Sequence, residues 1–490
     1  MRLIIDRCCY GEKPTAHTWA SVGARWICHY NLTITTGKVP LTAVSRNLTL
    51  GSVRRHVIGL ATPTAIEMAL YSATGLLHAY WMGRVGSLAL AAVSMGTTLR
   101  IVLISPMMGL SAGGMALVSR EIGAGQRRRA DYACAQTLAL VLLVVTPLIA
   151  IGQLWAPTLL GLMGASDQVL GDSAAYLRII LWGLFFMECM PTMNGVIRGA
   201  GRPEFTLRIT IASRLVFFAL EPVLALGWGP FPALGVRGVA LAEVIASATG
   251  VAAQALVLLP KGGCLTLHLR DLAPDWAVMR RILKVALPNS AQRLSPNLAN
   301  ALFMRLVAGL GDAVLAGYAI FTQLQTFVQG PNQGLQSAAA TMVGQNLGAE
   351  KPERTAEAAW LAAGLGAALS FTLYGVANAL APTVIPLLNS DPSAVAAGRE
   401  VLRFALIFGV FNGLWLVLGN ALAGAGDATA AMLINVAALW VVQLPACWLL
   451  SSAAGLGSLG IWLGMIIGSI TNAAGMAWRF RAGKWKTMHV

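Results

Sequence analysis

The sequence predicts an all-α integral membrane protein of about twelve transmembrane helices in two six-helix repeats. Three observations predict it: an apolar composition, a recurrence of apolar segments of spanning length, and an internal duplication. Of 490 residues, 57% are hydrophobic and only 11% charged, where a soluble chain of this size carries roughly a quarter charged residues. A soluble core does not absorb that much apolar surface, because larger chains divide into domains rather than thicken. The mean hydropathy of +0.68 agrees. A bilayer is the solvent such a chain requires.

The net charge of +15 is not a nucleic-acid footprint. Its Lys and Arg lie in short clusters between apolar stretches, as expected of loops on one side of a membrane. The seven cysteines show no metal-ligand spacing, Cys8 and Cys9 being adjacent near the start, and all are read as non-catalytic. No Gly-rich phosphate loop ending in Gly-Lys-Ser/Thr is present, which argues against ATP-driven transport.

Residues 1–54 hold no apolar run of spanning length and are expected to form a disordered cytoplasmic tail. The N-terminal six-helix lobe follows over 55–260, with apolar segments near 57–80, 88–118, 131–154, 174–197, 205–226 and 234–259. A cytoplasmic linker is placed at 261–279. The C-terminal lobe over 280–479 repeats the pattern near 280–308, 313–345, 355–379, 398–420, 429–451 and 456–478, before a basic tail at 480–490. The runs are continuous rather than alternating, so they are helices and not barrel strands. Arg54-Arg55, Arg127-Arg128-Arg129, Arg198 with Arg202, Lys261 through Arg281, Lys351 with Arg354, and the C-terminal basic residues all fall on one set of loops. The opposite set holds Asp167, Asp172 and Asp391. Both termini are therefore predicted to be cytoplasmic.

A shift of 225 superposes the halves. Pro63 falls on Pro288, Gly86 on Gly311, Gly109-Leu110 on Gly334-Leu335, Gly123-Ala124 on Gly348-Ala349, and Gly199-Ala200-Gly201 on Gly424-Ala425-Gly426. One offset held over roughly 170 residues implies duplication of a six-helix unit. An even unit gives both halves one topology, related by an axis along the membrane normal, with a cavity between two bundles. The alternative is a duplicated structural bundle without a pore.

The repeated stretches Gly83-Arg84-Val85-Gly86, Gly109-Leu110-Ser111-Ala112-Gly113, Val118-Ser119-Arg120-Glu121-Ile122-Gly123-Ala124-Gly125, Ile197-Arg198-Gly199-Ala200-Gly201-Arg202-Pro203 and Leu234-Gly235-Val236-Arg237-Gly238 resemble the multidrug and toxic compound extrusion (MATE) family over about residues 55–480. No single stretch is specific; their order, spacing and repetition are. The resemblance implies secondary antiport of a solute against protons or sodium ions by two lobes of six helices. It places His78 where the family carries a first-helix aspartate for the coupling ion, and Glu221-Pro222 at the family's acidic residue followed by proline. Phe217 stands where asparagine is usual.

Ionisable side chains inside a membrane are costly and therefore functional candidates. The first helix carries Glu67 and His78, eleven residues apart on one face but too distant to touch, with Tyr71 and Thr74 beside the same stripe. Histidine is a poor sodium ligand and a competent proton carrier near neutrality, so coupling to protons is favoured over sodium. The alternative is a histidine that only caps the helix end. Glu221 and Glu188 are further candidates for ion or proton coupling, against the readings of an exposed helix-end charge and a buried interhelical hydrogen bond. At the repeat offset Glu67, His78, Glu188 and Glu221 meet Gln292, Phe303, Gly413 and Ala446, so any carboxylate coupling belongs to the first lobe. Arg100, Arg214, Arg293 and Arg305 are expected to be buried. They pair with Glu67, Glu188 and Glu221, or else they accept an anionic or zwitterionic solute. On the eighth helix Gln325, Gln329, Asn332 and Gln336 share a face; with Asn297 and Arg293 on the seventh they form an expected substrate cavity, unless they only bond between helices.

The function expected is export of small amphipathic solutes in exchange for protons, less so sodium, by alternating access. The alternatives are a flippase of a lipid-linked or anionic substrate and a non-transporting scaffold. No nucleophile–base pair suggests an enzyme. No cofactor, metal or nucleic acid is expected. The partners are a small solute and the lipid of a bacterial inner membrane, and a monomer suffices to complete the cavity.

Overall fold

The computed structural model describes residues 47–488 apart from 165, 229–231, 260–264 and 389–391. The sequence-based readings at 1–46, including Cys8 and Cys9, at 261–264, at Asp391 and at the Asp167 side chain lie outside the described residues. Among those described, every regular element is helical. The first half comprises α1 (Val53–Val85), α2 (Ser87–Ile104) continuing through a 3-10 turn at Ser105–Met107 into α3 (Leu110–Gly123), α4 (Arg127–Leu162), α5 (Asp167–Trp182) with α6 (Leu184–Gly199), α7 (Pro203–Leu226) and α8 (Val236–Leu258). The second comprises α9 (Trp276–Ala308), α10 (Asp312–Gly348), α11 (Pro352–Leu388), α12 (Pro392–Gly424), α13 (Ala428–Val436), α14 (Leu444–Trp448) and α15 (Ser458–Arg481). Wide i→i+5 turns over Ala437–Gln443 and Leu449–Ala453 join α13 and α14 to their surroundings. Counting α2–α3, α5–α6 and α13–α14 as broken rods, each half has six.

Seven of these rods are long and apolar enough to cross a membrane, or eight with α5 and α6, which meet at a 53° bend, counted as one. The exceptions are instructive. α1, α9, α10 and the α2–α3 rod carry polar or charged residues in mid-helix, and these four lie between the halves. A polar stripe in a spanning helix must face protein or a water-filled space.

The contacts between halves are as duplicated as the sequence. α1 packs on α10 and α3 on α9. A Cβ on Gly109 would collide with the carbonyl oxygen of Ala286, and one on Gly334 with that of Ala61; each position is the repeat mate of the other. A Cβ on Gly123 would likewise strike the Gln345 carbonyl, and one on Gly348 the Arg120 carbonyl. Glycine is required there because backbone meets backbone. All four contacts lie toward the end where α1 begins. At the other end α2 leans on α5, α4 and α1 of its own half.

The closed end is basic. Arg354 donates to the carbonyls of Leu48, Leu50 and Gly51, and Lys351 to that of Thr49 at 2.9 Å. Leu48 is buried. The expectation of a disordered tail through residue 54 is therefore corrected from Asn47 onward: two cations hold four otherwise unpartnered carbonyls there. Across the halves Arg281 pairs with Glu121 at 3.0 Å. The stretch read as linker is ordered where described. Gln136 donates to the carbonyls of Asp271 and Ala273, and Asp275 caps α9 through Ala277 N, so α9 starts at Trp276 rather than near 280. The Arg128 guanidinium hydrogen-bonded to Asp271 holds that carboxyl below the usual carboxylate range.

Candidate functional site

Two regions carry chemistry, one in each half. In the first, α1 brings Glu67 against α6 and α7. Its Oε1 accepts from Asn194 Nδ2 and Thr210 Oγ1, both at 3.0 Å; its Oε2 accepts from Thr206 Oγ1 at 3.0 Å and Arg198 Nη1 at 3.1 Å. Asn194 is held in turn by Gln254 at 2.9 Å. A buried carboxylate with four donors is a fully satisfied anchor.

Three turns along α1, His78 meets α7. Its Nδ1 lies 2.6 Å from Glu221 Oε1. Glu221 is completely buried, whereas 26% of the His78 side chain is exposed. The second oxygen of Glu221 is buried without a hydrogen-bond partner. Phe217, one turn earlier on α7, packs 6.3 Å from the His78 ring. This dyad can share a proton.

Between the two carboxylates lies Arg214, buried, with Nη1 at 3.3 Å from Glu243 on α8 and its guanidinium over the rings of Tyr71 at 5.3 Å and Phe217 at 5.5 Å. Arg100 on α2 has a buried Nε without a partner, and its charge reaches Glu188 on α6 without forming an ion pair.

In the second half a cavity of about 570 Å³ opens between α9, α10, α12, the α13–α14 rod and α15. Thirteen of its lining residues are Asn or Gln, and Arg293 is the charged one. Gln292 and Phe303, the repeat mates of Glu67 and His78, both line it. Tyr318 donates to Asn300 Oδ1 at 2.8 Å, and Asn420 to Gln336 Oε1 at 3.0 Å.

Comparison with known proteins follows the same division into halves. The family model MatE matches residues 63–223 and again 288–449. The chain belongs to the MatE family. It is 27% identical over 440 residues, 88% of this chain and 96% of the relative, to a probable multidrug resistance protein NorM of Deinococcus radiodurans. It is 30% identical to one of the same description from Bradyrhizobium diazoefficiens, over 82% of this chain and 87% of that one. In fold it matches a multidrug resistance MATE family transporter solved in an outward-facing conformation, with TM-score 0.82 and 22% identity over 91% of this chain and all of the other. As a MatE protein it is a membrane transporter of small molecules and not an enzyme.

Within this MatE chain the structure brings His78 and Glu221 together and sets Glu67 apart from both. It revises the arginine pairing: Glu67 pairs with Arg198 and Arg214 with Glu243, because α6 and α8 pack behind α1 and α7 and present these groups first. Arg305, expected buried, is exposed. Thr74 is buried and donates to Leu70 O at 2.8 Å, so its hydroxyl is satisfied within its own helix. Arg293, Asn297, Gln325, Gln329 and Gln336 line the cavity, but Asn332 does not. One residue after Pro331 its amide donates back to Val328 O and across to Ser370 on α11 at 2.9 Å. Sequence reasoning missed Asn194, Arg198, Thr206, Thr210 and Glu243 around the first-half carboxylates, and Asn412, Asn420, Asn435, Gln443 and Asn472 in the cavity wall. Asn194 with Arg198 and Thr206 with Thr210 are each one turn apart, a helical spacing that could have pointed to them.

Proposed function

We propose that this protein exports small amphipathic solutes by antiport against protons, with the His78–Glu221 pair as the coupling site and alternating access as the means. The observation that carries this reading is the half-satisfied carboxylate: Glu221 is fully buried, one oxygen rests on His78 and the other has no partner. His78 and Glu221 lie close enough for one proton to be held between them, and part of the imidazole is exposed. With the proton bound, the pair is neutral enough to remain buried. When the proton leaves, the charge left behind needs compensation, and that difference biases one access state over the other. Sodium is the weaker reading, since a hard cation takes several oxygen ligands and Phe217 and the imidazole occupy the surroundings of Glu221.

The test is substrate-driven proton flux in liposomes containing the purified full chain, without and with sodium. Sodium-independent flux that disappears in Glu221→Gln is expected. Flux that requires sodium, or that survives Glu221→Gln, overturns the assignment.

A further inference from the structure

The cavity of the second half has a polarity of its own. Every charge in its lining is positive, and that charge is Arg293, placed halfway along the 33-residue α9. Arg293 Nε donates to Asn289 Oδ1 at 3.1 Å, and no carboxylate among the described residues lies within ion-pair distance of the guanidinium. The ionic group whose field reaches it is Arg198, a second cation already matched by Glu67. A guanidinium in mid-span pairs or faces water. Here it is accessible from the cavity and offers a planar fork of donors suited to a carboxylate, sulfonate or phosphate.

Two further features describe the rest of a ligand. Asn435 and Asn472 line the cavity with their side chains almost fully buried, and the Oδ1 of each has no partner. Both oxygens are themselves buried, so their lone pairs reach a bound molecule only when the amides rotate toward the cavity. Phe303, Tyr318 and Phe408 form an apolar part of the wall, with the Phe303 and Tyr318 rings 5.0 Å apart. The wide turn over Ala437–Gln443 presents Ala438, Leu439 and Gln443 to the same space; such turns are frequent at functional sites.

We propose that this cavity binds an organic anion, whose acidic group pairs with Arg293 and whose polar and apolar parts meet the carboxamides and the aromatic wall. It rests on the transport reading only in taking the bound anion as cargo, and places that cargo in the opposite half from the coupling dyad. A lipophilic cation finds no carboxylate there.

Two dyes sharing a xanthene body separate the outcomes: anionic carboxyfluorescein and cationic rhodamine 123. Fluorescence anisotropy on the full chain in neutral-lipid nanodiscs, near neutral pH, reads their affinities. Wild type is expected to bind carboxyfluorescein about tenfold or more tightly than rhodamine 123, and Arg293→Gln to lose about tenfold in the anion's affinity while Arg293→Lys, which keeps the charge but not the fork, loses less than Arg293→Gln. Should Arg293→Gln not fold, competition on the wild type by naphthalene-2-sulfonate against 2-naphthylmethylammonium decides the sign by itself. Equal or tighter binding of the cations, no binding of either dye, or an unchanged anion affinity in folded Arg293→Gln overturns the proposal. Equilibrium binding retained in Glu221→Gln together with intact coupled flux would sink the coupling assignment and leave this one standing.

Discussion

Glu67 on α1 and Glu221 on α7 are both buried carboxylates at the packing of these two helices in the same half, and they have opposite environments. Glu67 has four donors across its two oxygens. Glu221 has one hydrogen-bond partner, an imidazole, and its second oxygen has none. Burial alone therefore does not separate a structural carboxylate from a working one; the number of unfilled lone pairs does. A saturated carboxylate gains nothing from a proton and would lose hydrogen bonds by taking one. A half-satisfied one changes its whole balance with a single proton.

The largest effect expected from breaking this contrast is at Glu221. Replacement by Gln should lower coupled proton flux about a hundredfold, the scale of removing a group that carries the transferred proton, while the thermal midpoint changes little. A variant that unfolds instead would show Glu221 to be an anchor like Glu67. Next is Glu67→Ala, which strands Arg198 and should cost roughly 3–5 kcal/mol of stability, measured as a fall in denaturation midpoint. Protein that remains folded should still couple, and the Glu67→Ala/Arg198→Ala pair should recover part of the loss. Loss of coupling in folded Glu67→Ala would move the site toward the closed end. His78→Ala should reduce coupled flux about tenfold; undiminished flux would remove His78 from the proton's path. Smallest is the comparison case outside the membrane, Asp271. Its depressed titration means it stabilises the fold above the ordinary aspartate value of about 3.9 and loses that contribution as pH falls through its lower folded value. Beside largely exposed Arg128 the pair is screened, so Asp271→Asn should cost under about 1 kcal/mol at neutral pH and nothing in strong acid. A deficit that persists in acid would show another role for the side chain.

The arginines show where sequence reading reaches its limit. All four residues Arg100, Arg214, Arg293 and Arg305 look alike as cations in apolar runs. In the structure one is paired, one has a buried unpartnered nitrogen, one faces a cavity and one is exposed. Which of these a given arginine becomes depends on the helix packed behind it, and Glu243 lies on a helix with no regular polar pattern. Asn332 makes the same point. By helical spacing it belongs with Gln325, Gln329 and Gln336, but its bonds to Val328 O and Ser370 take it out of the cavity wall.

By itself the sequence determined what depends on composition and period: a helical membrane protein, its duplication at an offset of 225, the gathering of basic residues on one set of loops, and the lack of acidic repeat mates for Glu67, Glu188 and Glu221. Those properties follow from apolar run length, loop charge and residue identity at repeat positions, all of which are local or self-comparing. The tertiary structure alone decided which buried charges are satisfied and which are not. Glu67 and Glu221, and Arg214 and Arg293, differ only in what distant helices place within 3–4 Å of them, and hydrogen bonding acts at that range and no further.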